Sequence, residues 1–317
     1  MEKSLVSIVT PCYNGENYLD RFLQSVLAQS YPNLELIFIN DGSTDHTEEK
    51  VFSYKDQFDD KNIRFIYQKQ ENAGQAAALN KGLKLFAGDY LACLDSDDEI
   101  NPEFIEKRVE YLDSHSECSY CYGKAVTVNE DNPNTIVSII GKRALSGDRA
   151  FFEDILYVHN VFFPGYLFKT AAFDKAIRNR DIFIGRGGQN AQILLPMAWY
   201  YGEPGYVEES VYKYYMRSSS HSHNQKSSEK IIEQLEKYET ILIETIKRIP
   251  DSEAQKYIEA VKKYYARWRF GNAVDTMNGT IILKYYRELK EIGIATTHDK
   301  ALCLKYSARS ILKAREE

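Results

Sequence analysis

Three observations predict an α/β fold, with a mixed, mostly parallel central sheet flanked by helices and a helical extension at the C-terminus. Short apolar, β-branched runs alternate with segments of helical period through the first hundred residues. That spacing calls for parallel pairing through right-handed crossovers. The second and fourth of these runs end abruptly in carboxylates, as strands do when they deliver side chains to the carboxyl edge of an open sheet. Beyond Lys226 the strand-like runs stop and long amphipathic stretches take over.

Ser4–Pro11 (SLVSIVTP) reads as the first strand. The segment CYNGENYLDRFLQSVLAQSYP then turns and forms a helix with Tyr18, Leu19, Phe22, Val26 and Leu27 on one face, and Asn14 or Asn17 at its cap. Leu34–Asn40 is the second strand; Asp41 stands at its end, and Ser43, Thr44 or Asp45 can cap the next helix. Ile63–Tyr67 is a third, short strand, followed through Gln70–Gly74 by a helix from Gln75 to Phe86. Leu91–Asp98 (LACLDSDD) is the most informative stretch, an apolar run closing in Asp95, Ser96, Asp97 and Asp98. Carboxylates crowded at a strand end repel one another unless a cation joins them. Hard oxygen ligands at this density suit Mg²⁺ or Mn²⁺, ions that keep part of their shell for a substrate's phosphates.

A strand around Val207–Tyr215 leads into a Ser-rich stretch carrying His221 and His223. The C-terminal stretch reads as four helices: Ile231–Ile249 stopped by Pro250, then Ser252–Phe270, Ile281–Leu289 and Ala301–Lys313. From Lys226 on there are 18 Lys and Arg against 14 Asp and Glu, whereas the whole chain carries −6. Bases mix with aromatics in VKKYYARWRF and ILKYYREL. Such stripes either lie on an anionic membrane surface or pack against the catalytic domain or a second subunit. The overall acidity argues against a nucleic-acid partner.

The 317 residues, 44% hydrophobic and 27% charged, suffice for one large core plus an accessory unit. No apolar run reaches the length of a spanning helix, and no signal peptide precedes the first strand. Five cysteines make an odd count; Cys118 and Cys121 form a lone CxxC without the second pair a zinc site needs. Buried thiols in a reducing cytosol are the expectation. No GxGxxG follows the first strand, which disfavours a dinucleotide oxidoreductase. TPCYNGENY carries no basic phosphate loop, which disfavours a sugar-nucleotide pyrophosphorylase.

TPCYNGENYL, INDGSTDHT and NAGQAAALNKGLKLFAGDYLACLDSDD resemble, in order and spacing, the successive motifs of family 2 glycosyltransferases, which have the GT-A fold. The resemblance covers the first hundred residues, weakens along 120–225 and is lost beyond. It implies a GT-A domain over 1–224, with a nucleotide-binding half about 1–100 and an acceptor half about 101–224, then a helical extension over 225–317. It also implies an inverting, metal-assisted transfer from a UDP-sugar to a saccharide or lipid-linked glycan, using Mn²⁺ or Mg²⁺. The setting it suggests is the cytoplasm, at the inner face of the membrane where the acceptor is lipid-linked.

Residue by residue, the resemblance puts the Thr10–Pro11 turn, Tyr13 and Glu16 around the nucleotide, and Asp41 on the uracil or ribose. Asp95, with Ser96 beside it, comes near the ribose and Asp97 onto the metal and diphosphate, while Asp98 orients this group or meets the sugar. Arg217 would pair with phosphate oxygens, and His221 or His223 would complete the metal's coordination. A helix cap is the structural alternative for Asp41. The departure is GRGGQNAQILL, where Gln189 and Asn190 replace the acids of the family's Glu-Asp pair. An amide cannot serve as a general base, though both could bind sugar hydroxyls. Either a carboxylate elsewhere supplies the base, with Asp181 first, then Asp148, Glu153 and Asp154, or the enzyme uses another arrangement, or the chain is a silent nucleotide-sugar binder.

Overall fold

The structure, a computed structural model, describes residues 3–157, 165–185, 187–216 and 227–316, the last ten by backbone alone. The chain separates into two compact units, residues 1–223 and 224–317.

The first unit opens with β1 (Val6–Cys12), α1 (Leu19–Leu27), β2 (Leu34–Asn40), α2 (Thr47–Phe52), α3 (Lys55–Asp60), β3 (Arg64–Lys69) and α4 (Gln75–Leu83). It continues with β4 (Tyr90–Cys93), β5 (Glu99–Ile100), α5 (Phe104–Ser114), β6 (Tyr120–Asn129), β7 (Asn132–Ile140) and α6 (Ala150–Tyr157). Then come β8 (Leu167–Lys169), α7 (Thr170–Ala176), α8 (Gln189–Tyr201) and β9 (Gly205–Met216). One sheet runs β3-β2-β1-β4-β8-β6-β9-β5, with β7 paired to the outside of β6. The β3-β2-β1-β4 block is parallel, with Val6 opposite both Leu34 and Tyr90. After β4 the strands alternate in direction, and only β6–β9 is again parallel. Every residue of β1, β2 and β4 is buried, the pattern of strands covered on both faces.

Close packing fixes the front of this sheet. α4 lies so near β1 and β2 that a Cβ at Gly82 would clash with Val9 Cγ1. α4 ends at Leu83, three residues before Phe86, which is buried as loop. α1 begins at Leu19 with no side-chain cap from Asn14 or Asn17. Asn14 instead takes a left-handed φ of 51° and its Oδ1 accepts from Thr44 N at 2.8 Å, which stitches the first turn to the second. Asp45 accepts from Thr47 N at 3.1 Å and so covers the start of α2. At the far side β7 is an edge strand exposed along nearly its whole length, with Ile136, Val137 and Ile139 among its open side chains.

The second unit is four helices: α9 (Ser228–Arg248), α10 (Ser252–Asp275), α11 (Gly279–Glu291) and α12 (Thr297–Glu316). Ser227, Asp251 and Asn278 each accept from a first-turn N–H, the usual cap chemistry. Ile232, Ala266, Phe270, Ile282 and Leu289 form its core. Arg269, buried on α10, forms ion pairs with Glu239 of α9 and Glu288 of α11. Among the described residues no helix is long and apolar enough to cross a membrane.

Candidate active site

A cleft of about 460 Å³ opens at the carboxyl ends of β1, β2 and β4, lined by Pro11, Cys12, Tyr13, Asn14, Gly15, Tyr18, Asp41, Gln75, Asp95, Ser96, Asp97 and Tyr214. This is where an open α/β sheet places ligands, since the strand order reverses around β1 and the flanking helices diverge. Of the residues singled out in the sequence, Pro11, Tyr13, Asp41, Asp95, Ser96 and Asp97 meet here.

Asp41 is buried, and its carboxylate is a clamp. Oδ1 accepts from Gln70 Nε2 at 2.7 Å and Ala73 N at 3.0 Å, and Oδ2 from Gly74 N at 2.9 Å. It thereby fixes the loop before α4 rather than capping a helix. Gly74 sits at φ 89°, a conformation open to glycine. Gln75, the first residue of α4, then reaches Asp95, donating from Nε2 to Oδ1 at 2.9 Å.

Asp95 is half-buried, and burial pushes its carboxyl upward from the ordinary carboxylate range, with the bond from Gln75 acting the other way. Asp97 lines the cleft, and its main-chain carbonyl accepts from Arg21 Nε at 2.7 Å. Ser96 hydrogen-bonds the Cys12 thiol, which burial pushes up to about 11, so that this thiol stays protonated near neutral pH. Asp95 and Asp97 offer hard oxygens on one wall of the cleft, a donor set that fits Mg²⁺ or Mn²⁺ shared with a diphosphate. Among the described residues no group of three His, Cys, Asp or Glu side chains is arranged to hold an ion by itself. Arg217, His221 and His223 lie outside the described residues.

Four of the candidates stand outside the cleft's lining. Thr10 belongs to β1 and is fully buried, because the strand continues through Cys12 before the chain turns. Glu16 faces away from the cleft's wall: its Oε2 accepts from His46 N at 2.6 Å, an anion at the start of α2. Asp98 is buried and taken up by β9, with Oδ2 accepting from Tyr212 OH at 2.5 Å and Oδ1 from Tyr215 N at 3.2 Å. Burial and the neighbouring Asp95 charge push its carboxyl up to about 8, so it secures the turn instead of meeting a sugar. Asp181 stands 3.6 Å from Lys84, just past the C-terminal end of α4. The next residue, Ile182, exchanges two hydrogen bonds of 2.8 Å with the Asn80 side chain in the middle of α4, and Asp181 is not among the residues lining the cleft.

Gln189 and Asn190 are half-buried at the start of α8, preceded by Gly187 and Gly188, both at positive φ. Asp148 is exposed, Glu153 is exposed on α6, and Asp154 is ion-paired with Arg143 at 2.5 Å. The sequence reading missed Gln75, Tyr18 and Tyr214 as wall residues. Gln75 was within reach, because the first residue of a helix after a βα loop faces the strand ends; Tyr214, on the last strand, carried no local signal.

The geometry defines an open α/β sheet with an acidic cleft at its strand ends, and comparison with known proteins gives it a family. The pattern of the family described as "Glycosyl transferase family 2" matches residues 7–184, more than half of the chain. The chain belongs to that family and has the GT-A fold. Among curated relatives, the glycosyltransferase GlyA of Streptococcus pneumoniae is 30% identical over 230 residues, 68% of this chain and 31% of GlyA. The putative teichuronic acid biosynthesis glycosyltransferase TuaG of Bacillus subtilis is 37% identical over 132 residues, 41% of this chain and 51% of TuaG. The chain thus spans about a third of GlyA and half of TuaG. Among solved structures, S. aureus TarS 1–349 in complex with UDP-GlcNAc superposes with a TM-score of 0.58 at 17% identity, covering 96% of this chain and 91% of that one. The mannosyltransferase PcManGT of Pyrobaculum calidifontis, in complex with GDP-Man and Mn²⁺, superposes with a TM-score of 0.52 at 15% identity, covering 96% and 80%.

Proposed function

We propose that the protein moves a hexosyl or N-acetylhexosaminyl group from a UDP-sugar to a hydroxyl of a saccharide or lipid-linked glycan, with inversion and with help from Mn²⁺ or Mg²⁺. The observation that carries this is the meeting of Asp41, Asp95, Ser96 and Asp97 in one cleft at the strand ends. Tyr13 and Tyr18 supply flat surfaces against which a base can rest, and Asp41 sets the loop that starts α4. Asp95 and Asp97 would hold the cation, which when bound takes up charge on the departing nucleoside diphosphate. The complexes of TarS with UDP-GlcNAc and PcManGT with GDP-Man and Mn²⁺ support a nucleotide sugar and a cation in this cleft. The teichuronic acid biosynthesis in TuaG's name supports polysaccharide assembly as the setting, and a lipid-linked acceptor would put the reaction at the cytoplasmic face of the membrane.

Inversion needs a base on the acceptor side. Asp181 is paired with Lys84 and lies outside the cleft's lining, and Asp154 is held by Arg143, so Asp148 and Glu153 become the first carboxylates to test. Gln189 and Asn190 serve the acceptor's hydroxyls. For the helical unit the two roles remain membrane-surface contact and self-association; Tyr264 and Trp268, each more than a third exposed on α10, support a contact face. Flotation with anionic vesicles against light scattering separates them.

The amides at the start of α8 also favour a second reading, a silent nucleotide-sugar binder. UDP release from a panel of UDP-sugars, with Mn²⁺ and with or without saccharide acceptors, decides between the two. Acceptor-stimulated release supports the transferase; tight UDP-sugar binding with no release on any acceptor supports the binder.

A further inference from the structure

We propose that Arg21 is the positioning residue that aims Asp97 at the divalent cation, an inference that rests on reading the cleft as a UDP-sugar site. Arg21 is on α1 and does not line the cleft. Its guanidinium lies beneath the turn from β4 to β5. Nε donates to Asp97 O at 2.7 Å and Nη1 to Glu130 Oε1 at 2.6 Å. The same group stacks over the Tyr215 ring, 3.8 Å from its centroid, and lies 5.4 Å from that of Tyr18. Glu130 N in turn donates to Met216 O at 3.0 Å, at the end of β9. One side chain therefore joins α1, the carboxylate turn, the β6–β7 connection and β9. Tyr212 OH and Tyr215 N hold the next residue, Asp98. The backbone of Asp97 is thus fixed by Arg21 at its own carbonyl and by β9 one residue on.

Stability alone does not account for this arrangement. Arg21 Nη2 and Glu130 Oε2 are both buried, and neither has a hydrogen-bond partner. A two-bond fork from Nη1 and Nη2 to the two Glu130 oxygens would have satisfied both, but the guanidinium instead takes the orientation in which Nε reaches the Asp97 carbonyl and only Nη1 meets Glu130. A partly buried ion pair with two orphaned buried atoms adds little to a fold's stability, and such orphans call for an explanation. A planar guanidinium that donates along two fixed directions is, however, a good locator of backbone, which a lysine's point charge is not. Ligands to a cation must be held to within about half an ångström, and the groups behind them set that precision.

The test is calorimetric titration of UDP into the full chain, once with Mn²⁺ and once with EDTA, with the melting temperature recorded for each variant. Arg21→Met, which keeps the packing on Tyr215, should weaken binding in Mn²⁺ by about 10- to 100-fold and leave binding in EDTA unchanged. Arg21→Lys should fall between Met and wild type. Glu130→Gln, which preserves an acceptor for Nη1, should bind like wild type. The proposal is overturned if Arg21→Met binds UDP with Mn²⁺ as wild type does, or if it loses affinity equally with and without the metal. If Arg21→Met fails to fold, Arg21→Lys carries the same comparison, and a Lys variant indistinguishable from wild type overturns the proposal. Absence of any Mn²⁺-dependent gain in the wild type would sink the cleft reading itself and this inference with it.

Discussion

Replacing Asp41 by Ala tests what the second strand's terminal carboxylate does for the molecule. Its two oxygens accept from Gln70 Nε2, Ala73 N and Gly74 N, and the side chain is buried. A helix cap in the same position would contribute only about 1 kcal/mol. Here three donors lose a charged acceptor, and bonds to charged groups are worth about 1.5–3 kcal/mol each. Water can enter from the cleft, so the lower end applies per donor, or less; about 3 kcal/mol in total is expected. For a unit of this size each kcal/mol lowers the melting temperature by about 2–4 °C, giving a drop of roughly 6–12 °C. Asp41→Asn should lose less, because its amide can still accept from one donor while its NH₂ faces another. Thermal and urea unfolding of the two variants measure this, and UDP titration of the folded material follows. A loss of 1 kcal/mol or less in Asp41→Ala would refute the clamp, whatever happens to UDP.

Asp97→Asn should fold normally but lose most of the Mn²⁺-dependent gain in UDP affinity, since one anionic ligand becomes neutral; unchanged calorimetry would remove Asp97 from the metal site. A β-linked product from an α-linked UDP-sugar is expected, and an α-linked product by NMR would contradict a single in-line displacement. Asp181→Asn should keep near-full turnover at saturating substrate, whereas loss of the true base should cut it by roughly 10²- to 10⁴-fold; a collapse in Asp181→Asn would reinstate that residue. Gly82→Ala should cost about 1–3 kcal/mol, because its Cβ runs into Val9 on β1, and a neutral substitution in urea unfolding would contradict that close approach.

The parallel block was legible because β1, β2 and β4 are buried on both faces and so read as mostly apolar runs, with only scattered polar residues such as Ser7 and Glu35. The C-terminal helices were legible for the opposite reason, a polar face set against an apolar one. β5 and β8, of two and three residues, are too short to carry any period, and they exist only through their partners β9, β4 and β6. The site divides along the same line. Asp95 and Asp97 stand at the end of a strand that announces itself, so their place in the cleft follows from local pattern. The fates of Glu16 and Asp98 are set by His46 N, Tyr212 and Tyr215, groups 30, 114 and 117 residues away. No local reading of LDSDD distinguishes the carboxylate that faces the ligand from the one that a distant tyrosine draws inward. Asp181 has a related explanation: nearness in sequence to the Gln189–Asn190 position does not bring a side chain to the cleft, and this one pairs with Lys84 outside its lining.

β7 has a consequence for handling the molecule at high concentration. From Asn132 to Ile140 it carries no charge, and Ile136, Val137 and Ile139 are each about half exposed or more. A neutral edge strand with open hydrogen-bonding groups is a template on which another strand can add, and nothing in its side chains repels an identical copy. Colloidal behaviour would then be governed by this one strip rather than by the net charge of −6. A lysine at Ile136 or Ile139 would act as a gatekeeper there, at a position that contributes nothing to the buried core.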